Sequence, residues 1–345
     1  MDSPDSDVVV VENIKKKRKI LLKCPEGVDE DVFNSLPEEL QQEIIAEEKG
    51  SSDVVNKNKR WSFLTYNVWF QEEIALTARM NEIGKICREE NPDFIGFQEM
   101  TPNIVSLLVS QLAQVGYHFI FQKDCPYFVV LASRFKWVSS NVVEYPKSMM
   151  GRCLLYGTVE KDDGSQVLVG CTHLESPIPP FHGEAMMSLP RQQQLQNALE
   201  VLDSLDGEIS CRVLMGDMNW NEGGRPYAGK RVGYTKIQDG SMAGFLHRTS
   251  NPWNDAWLSS DSNSLTFSES CTYNAKRNQM SQGSLMYRAD RILYRCNTQT
   301  KSECKLVGTE PIAKVEYVNS KGKTLPVLPS DHFGLLCKLE VINEL

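Results

Sequence analysis

Five short segments of this chain, most of them apolar, each end in a residue that a buried strand has no use for. Leu64-Thr65-Tyr66 leads to Asn67, Ile95-Gly96-Phe97-Gln98 to Glu99, Val169-Gly170-Cys171-Thr172 to His173, Val213-Leu214-Met215-Gly216 to Asp217 and Asn219, and Pro329-Ser330 to Asp331 and His332. One Asp or Asn at a strand end is ordinary turn chemistry, because its side chain hydrogen-bonds the nearby backbone. Five such endings, using two of only five histidines, restrict the fold to one whose strands finish along a shared edge and present their polar ends together.

Composition frames that edge. With 345 residues, 41% hydrophobic and 24% charged, the chain has the apolar content for a sizeable core and is not a wholly disordered protein. Length alone suggests about two domains. The net charge of -8 excludes a generally polycationic binder, so contact with nucleic acid has to come from local basic patches. No run approaches the roughly 20 apolar residues of a spanning helix, and the acidic start lacks the parts of a signal peptide. A soluble intracellular protein with no membrane partner is expected. The ten cysteines include no Cys-x-x-Cys pair, so neither a disulfide framework nor a thiolate zinc site is indicated; reduced, mostly buried thiols are expected.

Residues 61–345 hold nearly all the aromatic residues. Trp61 to Trp69 reads as a strand, Ile74 to Glu90 as a helix and Phe94 to Phe97 as a buried strand. A second helix covers Asn103 to Val115. Strands are expected over Tyr117–Gln122, Phe128–Ser133, Lys136–Tyr145, Arg152–Lys161 and Gln166–His173, the last two joined as a hairpin at Asp162-Asp163-Gly164. A helix over Leu189–Leu205, a strand over Cys211–Met215 and closing strands over Arg291–Cys296 and Phe333–Ile342 follow. The sum is an α/β fold, a mixed sandwich of sheets covered by helices.

Residues 1–60 differ, with 14 acids, ten bases and one aromatic residue, Phe33. Residues 1–24 read as a disordered tail. Val8–Val11, between acids, resembles a SUMO-interacting motif, an extended segment that adds a strand to a partner's sheet edge; short valine runs are also common in ordinary chains. Lys15-Lys16-Lys17-Arg18-Lys19 resembles a nuclear localisation signal and implies a nuclear protein, the plain alternative being a solvated charge run. Within 25–50, Ser35 and Glu38 have capping-box spacing, Pro37 suits a first turn, and Leu36, Leu40 and Ile44 recur every four residues. A short amphipathic helix follows, whose stripe either docks on the core or waits for a partner. Leu36, Pro37, Leu40 and Ile44 sit in a pattern that resembles the ubiquitin-binding motif of translesion polymerases, which implies ubiquitin as that partner. Residues 51–60 read as a linker, and 61–345 as the catalytic domain.

Carboxylates and an amide without clustered thiols suit a hard, oxygen-preferring cation such as Mg2+, held by one or two carboxylates and substrate phosphate oxygens. Two histidines can donate to developing negative charge on a phosphate, and Asp217 with Asn219 can hold a water for attack. That is phosphoester hydrolysis. Thr65-Tyr66-Asn67, Gln98-Glu99, Gly216-Asp217-Met218-Asn219 and Ser330-Asp331-His332, in this order, resemble the signature blocks of the exonuclease/endonuclease/phosphatase superfamily. Thr172-His173-Leu174-Glu175-Ser176, Arg288-Ala289-Asp290-Arg291-Ile292 and the block from Ser330 to Cys337 resemble the 5′-tyrosyl-DNA phosphodiesterases within it. Tyr66 stands where Trp is common in that family.

The resemblance implies a four-layer, DNase I-like sandwich of two mixed sheets flanked by helices. It also implies Mg2+-dependent hydrolysis, with Mn2+ as a substitute, of the bond between a DNA 5′-phosphate and a tyrosine or peptide left by topoisomerase II. Glu99 and Asp331 would hold the metal. Asp217, Asn219, His173, His332 and Asn67 would act on water and phosphate, with Asp290 as an orienting carboxylate or part of the histidine network. For the DNA, Arg231, Tyr273 and Arg288 are candidates because residues 221–250 and 271–291 are basic and interleaved with tyrosines, a solvated basic face being the plain alternative; the resemblance implies Arg152 and Tyr127 as further wall residues, and Arg191 is a further candidate. An apurinic-site endonuclease, an RNA-directed nuclease, and a ubiquitin- or SUMO-binding adaptor with an inactive core stay open.

Overall fold

The computed structural model describes residues 8–11, 60–122, 126–160, 164–177, 187–222, 239–248, 252–260, 266–281, 283 and 285–342. The chain divides into two compact units, one of residues 1–13 and 61–345 and one of residues 14–60. The second lies almost wholly outside the described residues, and with it the predicted helix at Leu36 to Ile44 and the basic block at Lys15.

In chain order the strands are β1 (Val8–Val11), β2 (Arg60–Asn67), β3 (Phe94–Met100), β4 (His118–Gln122), β5 (Phe128–Ser133), β6 (Trp137–Glu144), β7 (Cys153–Glu160), β8 (Gln166–His173) and β9 (Ile209–Asp217). They continue with β10 (Asn254–Asp255), β11 (Tyr273–Asn274), β12 (Met286–Tyr287), β13 (Asp290–Cys296), β14 (Thr300–Val307), β15 (Glu316–Val318), β16 (Thr324–Pro326) and β17 (Gly334–Val341). The helices are α1 (Leu76–Glu90), α2 (Pro102–Ala113), α3 (Ser188–Ser204), α4 (Met242–Leu246) and α5 (Phe267–Ser270). One sheet runs β1-β4-β5-β3-β2-β17-β14 and the other β10-β13-β9-β8-β7-β6, with two small hairpins, β11-β12 and β15-β16.

Period-2 side-chain alternation explains the layers. In β5, Val129 and Leu131 join a core between the two sheets, while Val130 and Ala132 join a second core under α1 and α2. In β9, Val213 and Met215 face the inter-sheet core and Leu214 faces a third core under α3. Both faces of these strands are buried, which is why they read as nearly continuous apolar runs. Helix α1 buries Met80, Ile83 and Cys87, one face at helical spacing. Helix α2 begins one residue before the predicted start, because the Thr101 hydroxyl accepts the Ile104 N–H at 3.2 Å and Pro102 fits the first turn. The four-layer sandwich is as expected.

Three expectations change. Val8–Val11 is an extended strand, but it pairs antiparallel with β4 of its own chain, Val8 opposite Gln122, rather than standing in a disordered tail. Cys211 and Cys296 are bonded as a disulfide, against the expectation of reduced thiols, because they face each other across β9 and β13. Strand β14 was missed in the polar sequence after Cys296. It is an edge strand that buries Ser302 and Cys304 against β17 and exposes Lys301, Glu303 and Lys305. Among the described residues no helix is long and apolar enough to cross a membrane.

Candidate active site

The sheets bring the polar strand ends together. Strands β2 and β3 are parallel neighbours, as are β8 and β9, so Asn67 lies beside Gln98 and His173 opposite Asp217. Strand β13 runs antiparallel to β9 and sets Asp290 opposite Asp217. Gly216 makes this register attainable: its φ is +147°, and a Cβ there would lie 1.8 Å from the Thr172 carbonyl oxygen. Glu99 and Asn219 hold positive φ of 61° and 47°. Glu99 falls in the irregular stretch of β3 between Phe97 and Met100, and such strain clusters at functional sites.

Asp217 is the centre. Its Oδ2 accepts Asn67 Nδ2 at 3.0 Å and lies 3.4 Å from His173 Nε2 and 3.8 Å from His332 Nε2. Its Oδ1 accepts the Asn219 N–H at 2.8 Å. Burial works against its charge, but His173, His332 and these donors outweigh burial and hold the carboxyl below its usual range. His332 Nδ1 is 2.9 Å from Asp290 Oδ2. Burial opposes a charged His332, yet Asp290 and Asp217 raise it well above the ordinary imidazole value. His173 goes the other way, lowered by burial and then by the charge of Arg152, whose Nη1 is 2.9 Å from His173 Nδ1.

Glu99 and Asp331 show what a cation would relieve. Burial raises both, the proximity of Glu99 adds to the shift on Asp331, and Asp331 is pushed up to about 7. Two carboxyls that desolvation and mutual repulsion push toward the neutral form fit a divalent cation. Asp217, Asp290 and His332 also place ligand atoms within 4.8 Å of one another, but the Asp290–His332 hydrogen bond ties those two together.

Several partners were not legible in the sequence. Arg79, fully buried on the inner face of α1, donates to the carbonyls of Val68 and Trp69 at 2.7 Å, Gln71 at 2.6 Å and Pro329 at 3.2 Å. It ties together the two loops that carry Asn67 and Asp331. Its only sequence signal is an arginine on an otherwise apolar helix face. The Tyr287 hydroxyl donates to Asn219 Oδ1 at 3.3 Å, and Ser176 Oγ accepts from Arg152 Nη2 at 2.9 Å.

The predicted DNA residues divide. Arg152 and Tyr127 adjoin His173, with the guanidinium 5.1 Å from the Tyr127 ring, and Tyr273 packs its ring 5.0 Å from that of His332. Arg191 is instead buried in an ion pair with Asp239 at 2.9 Å. Arg288 is buried against Glu222 at 2.7 Å, and Glu222 also takes Arg291, which holds its carboxyl at about 2 despite burial. These two arginines pair with internal carboxylates, each packed in the fold beside an acid distant in sequence. Arg231 lies outside the described residues.

The Endonuclease/Exonuclease/phosphatase family matches residues 64–332, and a Ubiquitin binding region matches residues 24–52. The Tyrosyl-DNA phosphodiesterase 2 of Xenopus laevis is 26% identical over 293 residues, 82% of this chain and 67% of its own length. That of Mus musculus is 24% identical over 314 residues, 88% and 73%. D. rerio TDP2 complexed with single strand DNA product superposes with a TM-score of 0.63 at 21% identity, covering 82% of this chain and 99% of that one. Truncated Caenorhabditis elegans TDP2 gives 0.61 at 20%, with 82% and 98% covered. The fold, the converged strand ends and the family match over most of the chain agree: the chain belongs to the Endonuclease/Exonuclease/phosphatase family, resembles its tyrosyl-DNA phosphodiesterase 2 members, and is a phosphodiester hydrolase.

Proposed function

We propose that this enzyme hydrolyses the bond between a DNA 5′-phosphate and a tyrosine left by trapped topoisomerase II, releasing a 5′-phosphate end. The observation that carries the reading is the Asp217 carboxylate, kept ionised among two histidines and an amide at the converged strand ends. Asp217 orients the attacking water and takes its proton, with Asn219 beside it. His332, charged through Asp290, and His173 donate through Nε2 to the non-bridging oxygens as negative charge grows there. Glu99 and Asp331 would hold Mg2+, or Mn2+ in its place, which when bound supplies positive charge against the phosphoryl oxygens. A phenol of pKa about 10 leaves more readily than a sugar alkoxide. A small recess lined by Tyr127, Met150, Gly151 and Arg152 opens beside His173.

The tail fits a recruitment role. Residues 24–52, with Leu36, Pro37, Leu40 and Ile44, are read as binding ubiquitin, Val8–Val11 as able to pair with SUMO, and Lys15 to Lys19 as directing nuclear import. The test of the activity sets a 5′-phosphotyrosyl oligonucleotide beside an abasic duplex and a poly(A) RNA, each with Mg2+ and with chelator. Preferential, chelator-sensitive release of tyrosine is the expected result. Preference for either comparison substrate overturns the choice of substrate, and full activity in chelator overturns the metal.

A further inference from the structure

The two histidines beside Asp217 are held by partners of opposite kind. His332 Nδ1 faces a carboxylate oxygen of Asp290 at 2.9 Å, so that nitrogen donates. His173 Nδ1 faces Arg152 Nη1 at 2.9 Å, and a guanidinium has only N–H donors, so that nitrogen accepts. An imidazole that accepts through Nδ1 carries its proton on Nε2. In His173 that is the atom 3.4 Å from Asp217 Oδ2, turned toward the reaction centre. From this geometry we infer that Arg152 is a positioning residue that holds His173 as the neutral Nε2–H tautomer, supplying one aimed proton donor and no second positive charge beside Asp217.

The surroundings of Arg152 fit a fixed part better than a mobile phosphate clamp. Its side chain is buried, with Nη2 donating to Ser176 Oγ at 2.9 Å and the guanidinium lying over the Tyr127 ring. Its backbone N–H donates to Ser148 Oγ at 2.7 Å, and its carbonyl accepts the Tyr145 N–H at 3.1 Å. The Ser148 hydroxyl in turn donates to Glu175 Oε1 at 2.7 Å, which also accepts the Met149 N–H at 2.6 Å. Glu175 lies two residues beyond His173. The end of β8 thus carries the histidine, and the stretch just after it clamps the turn that delivers its orienting arginine. The consequence is electrostatic. Two imidazolium ions against Asp217 would weaken it as a base, whereas a neutral His173 keeps a donor for the phosphate without that cost.

The importance for turnover rests on the phosphodiester-hydrolysis reading, but the tautomer does not. The test is long-range proton–nitrogen NMR correlation on the full chain labelled with 15N-histidine, with His173 assigned through His173→Gln. At pH 7.5 the expected spectrum shows Nδ1 of His173 unprotonated and Nε2 protonated. Arg152→Ala should give averaged nitrogen shifts from mixed tautomers, and Arg152→Lys, which keeps an N–H donor, should restore part of the wild-type pattern. On a phosphotyrosyl oligonucleotide, Arg152→Ala should lower kcat about 10- to 100-fold, the usual cost of losing an orienting partner, with KM moving less than about threefold. A protonated Nδ1 in the wild type overturns the inference, and that measurement needs no variant to fold. So does an unchanged His173 spectrum in Arg152→Ala with only KM raised, the signature of a phosphate clamp. A wild-type enzyme that shows the tautomer but cleaves no phosphotyrosyl DNA refutes the proposed substrate and leaves this inference standing.

Discussion

At the scale of single residues, the environment decides what identical side chains do. Burial affects Asp217, Asp290 and Asp331 alike, yet Asp217 is lowered because two histidines and an amide face it, while Asp290 and Asp331 are raised. Replacing His173 or His332 by Ala should lower kcat on the order of 10²- to 10³-fold, as for other lost transition-state donors, and Asp217→Asn on the order of 10²- to 10⁴-fold, as for a lost general base; single-turnover release of tyrosine measures it. The raised Asp331 sets a pH dependence with a definite sign. An acid whose folded pKa lies above its unfolded value near 3.9 contributes stability below that value and loses it as pH rises through the folded pKa. The metal-free protein should therefore lose this contribution between about pH 4 and pH 7. A cation favours the ionised pair, so Mg2+ affinity should rise with pH through about 7 and then level off. Calorimetric titration from pH 6 to pH 8.5 checks this, and an affinity flat in pH would remove Asp331 from the metal site.

At the scale of elements, the site depends on loops and registers held by residues that never touch a phosphate. Arg79→Met should leave five loop carbonyls without their donor and destabilise the fold by about 3 kcal/mol, the cost of unsatisfied buried polar groups, read by urea denaturation. It should also slow turnover, because the loops it joins bear Asn67 and Asp331. Gly216→Ala would drive a Cβ into the Thr172 carbonyl and should destabilise by about 3 kcal/mol or more, strain in a restricted conformation plus overpacking. Much of the site was legible beforehand: Asn67, Glu99, His173, Asp217, Asp331 and His332 all lie at the predicted strand ends or the predicted loop. Arg79 was not, since nothing local marks an arginine whose acceptors lie up to 250 residues away. The ion pairs of Arg191 and Arg288 were hidden for a related reason. A basic residue looks solvated until its buried acid, Asp239 or Glu222, is placed beside it.

At the scale of the whole molecule, the acidic net charge and the basic segments take on a different meaning. Arg288 and Arg291 neutralise Glu222 and Asp255 inside the catalytic unit, so half of the four bases in residues 271–291 are internal, while Lys276 and Arg277 stay exposed. The unit of residues 14–60 contains the whole of the Ubiquitin binding region. A double substitution, Leu36→Ala with Pro37→Ala, should abolish ubiquitin-induced NMR shifts while changing kcat/KM on a short phosphotyrosyl oligonucleotide by less than about twofold, as for independent sites. Loss of both together would show the tail acting in catalysis. By itself the sequence determined the period of the elements, the two-faced burial of the strands and the chemistry at their ends, because these follow from side-chain type and spacing along the chain. Only the tertiary structure decided that Val8–Val11 lies on its own sheet, that Cys211 meets Cys296, that Arg79 bridges two loops, and that two histidines take opposite partners. Those outcomes depend on which residues the fold brings face to face across 21 to 250 positions of chain, and no local pattern encodes a partner at that distance.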